Sequence, residues 1–394
     1  MMKSQRKKIP LVRVKGFEGA WELCTLGEHI EDYVEKTTVQ NQYPVLTSSQ
    51  NKGIVRQEDY FANRQVTTDS NIGYFVLPKG FFTYRSRSDN GVFKFNRNDL
   101  LDKGIISYFY PVFSIVEGDS DFYLKLLNTS ITKQVMLQAE GTGQKVLSLS
   151  KFKSIKTLVP SLPEQSAIGS LFRTLDDLLT SYKDNLANYQ SLKATMLSKM
   201  FPKAGQRVPE IRLDGFEEDW ENKILSEVTN ITMGQSPKSE NYTDNPNDYI
   251  LVQGNADIKD KQVVPRLWTT EVTKMAEIGD IILTVRAPVG DIGKTDYNVV
   301  IGRGVAAIKG NDFIFYTLEK MKKTGFWNRF STGSTFESIS SNDIKEAIIQ
   351  IPTLKEQQAI GTYFSNLDNL INSHQEKISQ LEILKKKLLQ DMFI

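Results

Sequence analysis

The sequence predicts an α+β protein made by internal duplication: two α+β bodies separated by an antiparallel pair of long coiled-coil helices, with pseudo-two-fold symmetry inside one chain. Three observations predict it. PSLPEQSAIGSLFRTLDDLL, starting at Pro160, returns as PTLKEQQAIGTYFSNLDNLI from Pro352. IPLVRVKGFEGAW at 9–21 is echoed by VPEIRLDGFEEDW at 208–220. An apolar seam spaced alternately by four and three residues follows each Glu-Gln step.

The entry segments come first. Pro10/Pro209, Gly16/Gly215, Phe17/Phe216 and Trp21/Trp220 stand 199 apart, and the same offset reaches Gly80/Gly279, Arg87/Arg286 and Gly91/Gly290. From Gly141/Gly333 the offset is 192 and holds to Met200/Met392, so the second copy is seven residues shorter between its Gly290 and Gly333. The bodies between these anchors diverge. In the first, GYFVL, GFFTYRSR and GVFKFNR read as strands, with Asn90-Gly91 signalling a hairpin. In the second, GDIILTVRAPVG and NVVIGRGVAAIKG read as strands, and FIFYTLEKMKKTGF as a helix.

The helical exits have the clearest pattern. Ile168, Phe172, Leu175, Leu179, Tyr182, Leu186, Tyr189, Lys193, Met196 and Met200 form one seam, matched from Ile360 to Met392 in the second copy. Lys193 and Lys385 interrupt both seams at one position, which predicts that the two helices pair with each other. Each helix spans roughly 55 Å at 1.5 Å per residue. The expected divisions are 1–158 and 204–350 for the bodies, 159–203 and 351–394 for the helices. FPKAGQRVPE at 201–210 reads as the linker.

Composition narrows the function. At 394 residues the chain exceeds one ordinary core. No apolar run approaches the roughly 18 residues of a membrane span, and MMKSQRKK lacks the apolar core of a secretory signal, so a cytoplasmic location is expected. Cys24 is the only cysteine, and His29 and His374 are the only histidines, which argues against a disulfide, a thiolate metal cage or a histidine-dependent catalytic site. A formal charge of +2 means that any grip on nucleic acid rests on local patches or on partners. GDIGKT at 290–295 has Pro288 where a P-loop needs its first glycine, and NPNDY at 245–249 is not an adenine-methyltransferase tetrapeptide.

The order of variable body, PxxEQxxI helix, second variable body and second EQxxI helix resembles the specificity subunit of Type I restriction-modification systems. GFEGAW/GFEEDW, the GQSP step at 234–237, GDIILTVRAPVG and GSTFESIS before IPTLKEQQAI support it across essentially the whole chain. The resemblance implies two target-recognition domains, each reading half of a bipartite asymmetric site on double-stranded DNA, with the helices as a ruler for the gap. It implies no catalysis and no cofactor in this chain. S-adenosylmethionine is expected on two methyltransferase subunits, and ATP with Mg2+ on restriction/translocase subunits. The alternatives are a bivalent protein-protein adaptor built on a coiled coil, and a standalone nuclease.

Candidate contacts follow from chemistry. FFTYRSRSDNGVFKFNR gathers Arg85, Arg87, Lys94 and Arg97 among aromatics, either a DNA-contacting ribbon or a two-faced one with its charges in water. Arg87 and Arg286 are read as either contacts or structural ion-pair residues. In the long polar stretch 234–248, Gln235, Ser236, Lys238 and Tyr242 offer donors and packing groups. Gln144 and Lys145 in GTGQK, and Ser334 and Thr335 in STGST, sit in small-residue segments read either as tight turns leading into the shared SLS/SIS segment or as backbone able to approach phosphates.

Overall fold

Four helices organise the computed structural model, which describes residues 9–61, 70–330 and 338–393. They are α1 (Ser120–Leu126), α2 (Leu162–Lys199), α3 (Asp312–Lys323) and α4 (Leu354–Asp391). The chain divides into two units, Met1–Lys183 with Glu376–Ile394, and Asp184–Gln375. Each unit therefore holds part of both long helices. In the first unit Lys385 of α4 pairs with Asp176 of α2, and Lys183 reaches Glu382 at 2.7 Å. In the second, Lys193 of α2 lies 2.6 Å from Asp368 of α4, and Tyr189 meets His374 edge-on at 5.1 Å. The helices are antiparallel, and the duplicated lysines pair with equally duplicated aspartates.

The predicted seam is the packed face, with a gradient along it. Ile168, Phe172, Leu175 and Leu179 are buried, as are Ile360, Phe364, Leu367 and Ile371, whereas Tyr182, Leu186 and Tyr189 are half-buried. Phe393 stacks on Phe122 in one unit and Phe201 on Phe313 in the other. The 201–210 segment is thus anchored at its start, because Phe201 fills the second core beside Trp220.

The shared Glu-Gln step is explained by buried polar partners. Glu164 is 1% exposed and accepts two 2.7 Å bonds from Arg13, whose guanidinium also caps the carbonyls of Glu18 and Gly19. Glu356, also 1% exposed, is held by Arg212 at 2.9 and 2.8 Å. A buried carboxylate needs such a bidentate cation. The neighbouring glutamines donate to Pro160 O and Pro352 O, and accept from Asp119 N and Asn311 Nδ2 respectively. Gly169 and Gly361 let the short helices approach: an added Cβ would lie 2.9 Å from Phe122 N, or 3.1 Å from Phe313 N. Both units also close with a duplicated antiparallel strand pair, Glu22–Thr25 with Lys156–Val159, and Glu221–Ile224 with Ile348–Ile351.

The bodies differ. The first contains a four-stranded antiparallel sheet in the order Ile30–Tyr33, Val112–Ile115, Phe82–Tyr84, Phe95–Arg97, whose aromatic face packs Phe82, Tyr84, Phe95, Phe113 and Phe152. The second contains a six-stranded sheet with Ile281–Thr284 in its interior and a five-stranded sheet centred on Tyr249–Val252, which pairs in parallel with Val299–Ile301. One expectation changes form. Phe82–Tyr84 does pair with Phe95–Arg97, but Asn90-Gly91 does not make a two-residue hairpin turn between them. Arg87-Ser88 leave instead to pair with Lys145-Val146, and Asn90 Oδ1 accepts from Ser88 Oγ and Val92 N within a longer loop.

Candidate nucleic-acid interface

In the first unit, three of the four predicted cations come together. Arg85, Arg87 and Lys94 line an open cleft of about 460 Å³ with Gln50, Asn51 and Asn90. Arg87 stacks over Phe109 at 4.5 Å, which fixes its guanidinium while leaving it exposed. Desolvation and the like charges of Lys125 and Lys385 lower the Lys94 pKa. Arg97 does not belong to the cleft: it bonds Asp99 at 2.7 Å and Asp121 at 2.8 Å, and the second of these ion pairs ties the sheet to α1. Gln144 donates to Asp89 at 2.8 Å and Lys145 pairs with Ser88, so the GTGQK turn braces the edge of the cleft.

In the second unit, GQSP is built on a close backbone crossing. A Cβ at Gly234 would lie 2.1 Å from Gly302 O, and one at Gly304 2.0 Å from Gln253 O. Gln235 is exposed, with its amide bonded to Ile301 O; Ser236 Oγ accepts from Arg303 N at 3.0 Å. Lys238 is exposed, its amide held by Glu271, and Tyr242 sits half-buried in a strand paired with Thr269. Val285 N bonds Gly304 O, so Arg286 leaves its strand beside the Gly302-Arg303-Gly304 turn. Arg303 is exposed there and escaped the sequence reading; its flanking glycines were the available signal. Ser334 and Thr335 lie outside the described residues. The P-loop look-alike is a strand, Ile292–Lys294, whose Lys294 pairs with Asp312.

Arg87 and Arg286 prove equivalent in structure as well as in sequence. Ser86 O accepts from Leu147 N at 2.9 Å, and Val285 O from Ile339 N at 3.0 Å. The next residue in each case is the arginine, set opposite Val146 or Ser338. Both side chains are exposed, and among the described residues neither joins an ion pair. The hairpin Leu46–Ser49/Gly53–Arg56, whose tip reaches the first cleft, was also missed by the sequence reading. Its signal was a Gln-Asn-Lys-Gly turn between VLTSS and GIVR.

These features define a duplicated protein: two α+β domains, each packed on antiparallel segments of the same two helices and each presenting an exposed arginine at a matching strand end. The model of the Type I restriction modification DNA specificity domain matches residues 21–188 and again 217–383, and the chain belongs to that family. It is 30% identical over 260 residues to a putative type I restriction enzyme specificity subunit, MjaX, of Methanocaldococcus jannaschii; the match covers 63% of this chain and 61% of that relative's length. The fold is similar to the type I S subunit of M. genitalium, with a TM-score of 0.60 at 15% identity over 98% of this chain and 99% of that one. It is also similar to the HsdS subunit of Thermoanaerobacter tengcongensis, with a TM-score of 0.50 at 22% identity over 95% and 96% of the two chains. No helix among the described residues is long and apolar enough to cross a membrane.

Proposed function

We propose that the chain is the DNA sequence-recognition subunit of a Type I restriction-modification complex. Each α+β domain reads one half of a bipartite, asymmetric site, and the helical pair sets the gap and docks methyltransferase subunits. The observation that carries this reading is the repeated arginine: Arg87 and Arg286 stand at one strand end in two domains whose surrounding loops differ. An exposed guanidinium with no acid partner among the described residues suits phosphate or guanine, and the differing loops suit different words. Leucines exposed at matching helix positions, Leu162/Leu354, Leu178/Leu370 and Leu192/Leu384, support two equivalent docking faces for two copies of a partner. The chain itself is non-catalytic on this reading. Methyl transfer with S-adenosylmethionine belongs to the methyltransferase subunits, and ATP- and Mg2+-dependent translocation and cleavage to the restriction subunits.

The test is methylome sequencing of a host that expresses the chain with its methyltransferase partner. A two-part methylated word with a fixed gap is expected. Arg87→Ala should weaken or relax one half and Arg286→Ala the other, each by about 1–3 kcal/mol if the contact is bidentate to a base. Methylation without any two-part word would reject the reading in favour of a bivalent protein adaptor.

A further inference from the structure

Resting on the sequence-recognition reading, we infer that the tip of the Leu46–Ser49/Gly53–Arg56 hairpin enters the DNA major groove. Gln50 and Asn51 read base edges there, adenine foremost, while Arg85 and Lys94 hold the phosphates beside it.

The hairpin has suitable dimensions, since the major groove of B-DNA admits a two-stranded β-ribbon. It forms its own two-stranded sheet, rooted by Leu46 and Ile54, which are buried against Leu77, Ile106 and Val112. Its tip is also pre-organised. The buried Asn96, on a core strand, donates to Ser48 Oγ and Ser49 O at 2.8 Å each. Ser49 Oγ in turn accepts from Asn51 N at 3.2 Å and Lys52 N at 3.1 Å, so both of these turn amides are satisfied internally. The side chains of Gln50, Asn51 and Lys52 are left exposed, and among the described residues they make no hydrogen bond or ion pair. Rigid backbone with uncommitted side chains is what base reading requires, because ordering costs have been met before the DNA arrives.

Charge and chemistry agree on the ligand. Gln50 and Asn51 line the same cleft as Arg85, Arg87 and Lys94, and the cleft's Asp89 is occupied by Gln144. Carboxamides match the adenine N6/N7 pair, whereas Arg85 and Lys94 match phosphate.

The experiment uses the full chain assembled with its methyltransferase partner. Duplex affinity is measured at fixed salt for the methylated word and for duplexes with either half replaced. In Gln50→Ala/Asn51→Ala, discrimination against a replaced half should fall roughly 5- to 150-fold per lost contact at one half only. Retained discrimination at the other half reports an intact fold. Gln50→Glu and Asn51→Asp, which preserve size, should move the preference at those positions from adenine toward cytosine, since carboxylates accept from cytosine N4. Lys94→Ala should weaken all duplexes alike and lower the salt slope by about one. Unchanged discrimination at both halves in the double and carboxylate variants would overturn the hairpin assignment while leaving the recognition reading intact. A wild-type complex that binds every duplex equally would overturn both.

Discussion

Glu319 shows how much rests on one buried side chain. It is 7% exposed, and Lys193 and Lys261 both reach its carboxylate at 2.9 Å, with Lys323 at 3.2 Å. Burial alone would raise its pKa, but the charges of Lys261 and Lys193 outweigh that and hold it at about 2, against an ordinary 4.5. Burial by itself would lower the Lys261 pKa, yet Glu319 and Asp368 raise it, whereas Lys193 is lowered, chiefly by burial. Because the folded-state value of Glu319 is depressed, its contribution of about 3 kcal/mol is present above pH 4.5 and fades as pH falls toward 2. Glu319→Gln should therefore cost roughly 3–5 kcal/mol at pH 7 and far less near pH 2, measured by urea unfolding followed through tryptophan fluorescence. At this scale the sequence was partly legible. The exposed Arg85, Arg87 and Arg286 follow from basic residues at strand ends, but Arg97 looks the same in sequence. Only tertiary packing brings Asp121 of α1 within 2.8 Å of it. Gln50 and Asn51 carry no charge or aromatic signal, and their importance arises from Ser49 and Asn96, the latter 47 positions from Ser49.

Among elements, the junction between each short helix and its long helix leaves no room for a side chain at the shared glycine. A methyl group at Gly169 would lie 2.3 Å from Asp119 Oδ1, the oxygen that caps α1 by accepting from Phe122 N. Gly169→Ala should therefore cost about 1–3 kcal/mol, through overpacking and a displaced cap. Gly361→Ala meets Asp312 Cβ at 2.8 Å and should be similarly harmful, whereas Gly143→Ala, with nothing within 4 Å, should be neutral. Differential scanning calorimetry of the three variants checks the ranking. The long helices were legible because their seam is local and repeats over many turns. Of the strand pairings of the bodies, that of Phe82–Tyr84 with Phe95–Arg97 was legible, but that of Arg87-Ser88 was not, because a turn signal such as Asn90-Gly91 fixes a bend without choosing a partner. Arg87 pairs with Val146, far along the chain, beside a sheet whose aromatic face is buried.

For the whole molecule, the duplicated ion pairs have a consequence for how such a chain arises. Asp176 of the first repeat is matched with Lys385 of the second, and Asp368 of the second with Lys193 of the first. Each repeat thus carries both halves of the lock, an acid followed 17 positions later by a base. Two copies of residues 1–203 should satisfy each other, with the second copy's Phe201 standing in for Phe393; light scattering should report a dimer, and a monomer would refute the substitution. The covalent link between the repeats would then be a late convenience rather than a structural necessity. Freed from the need to be identical, the fused partners can drift apart everywhere except along the zipper that joins them.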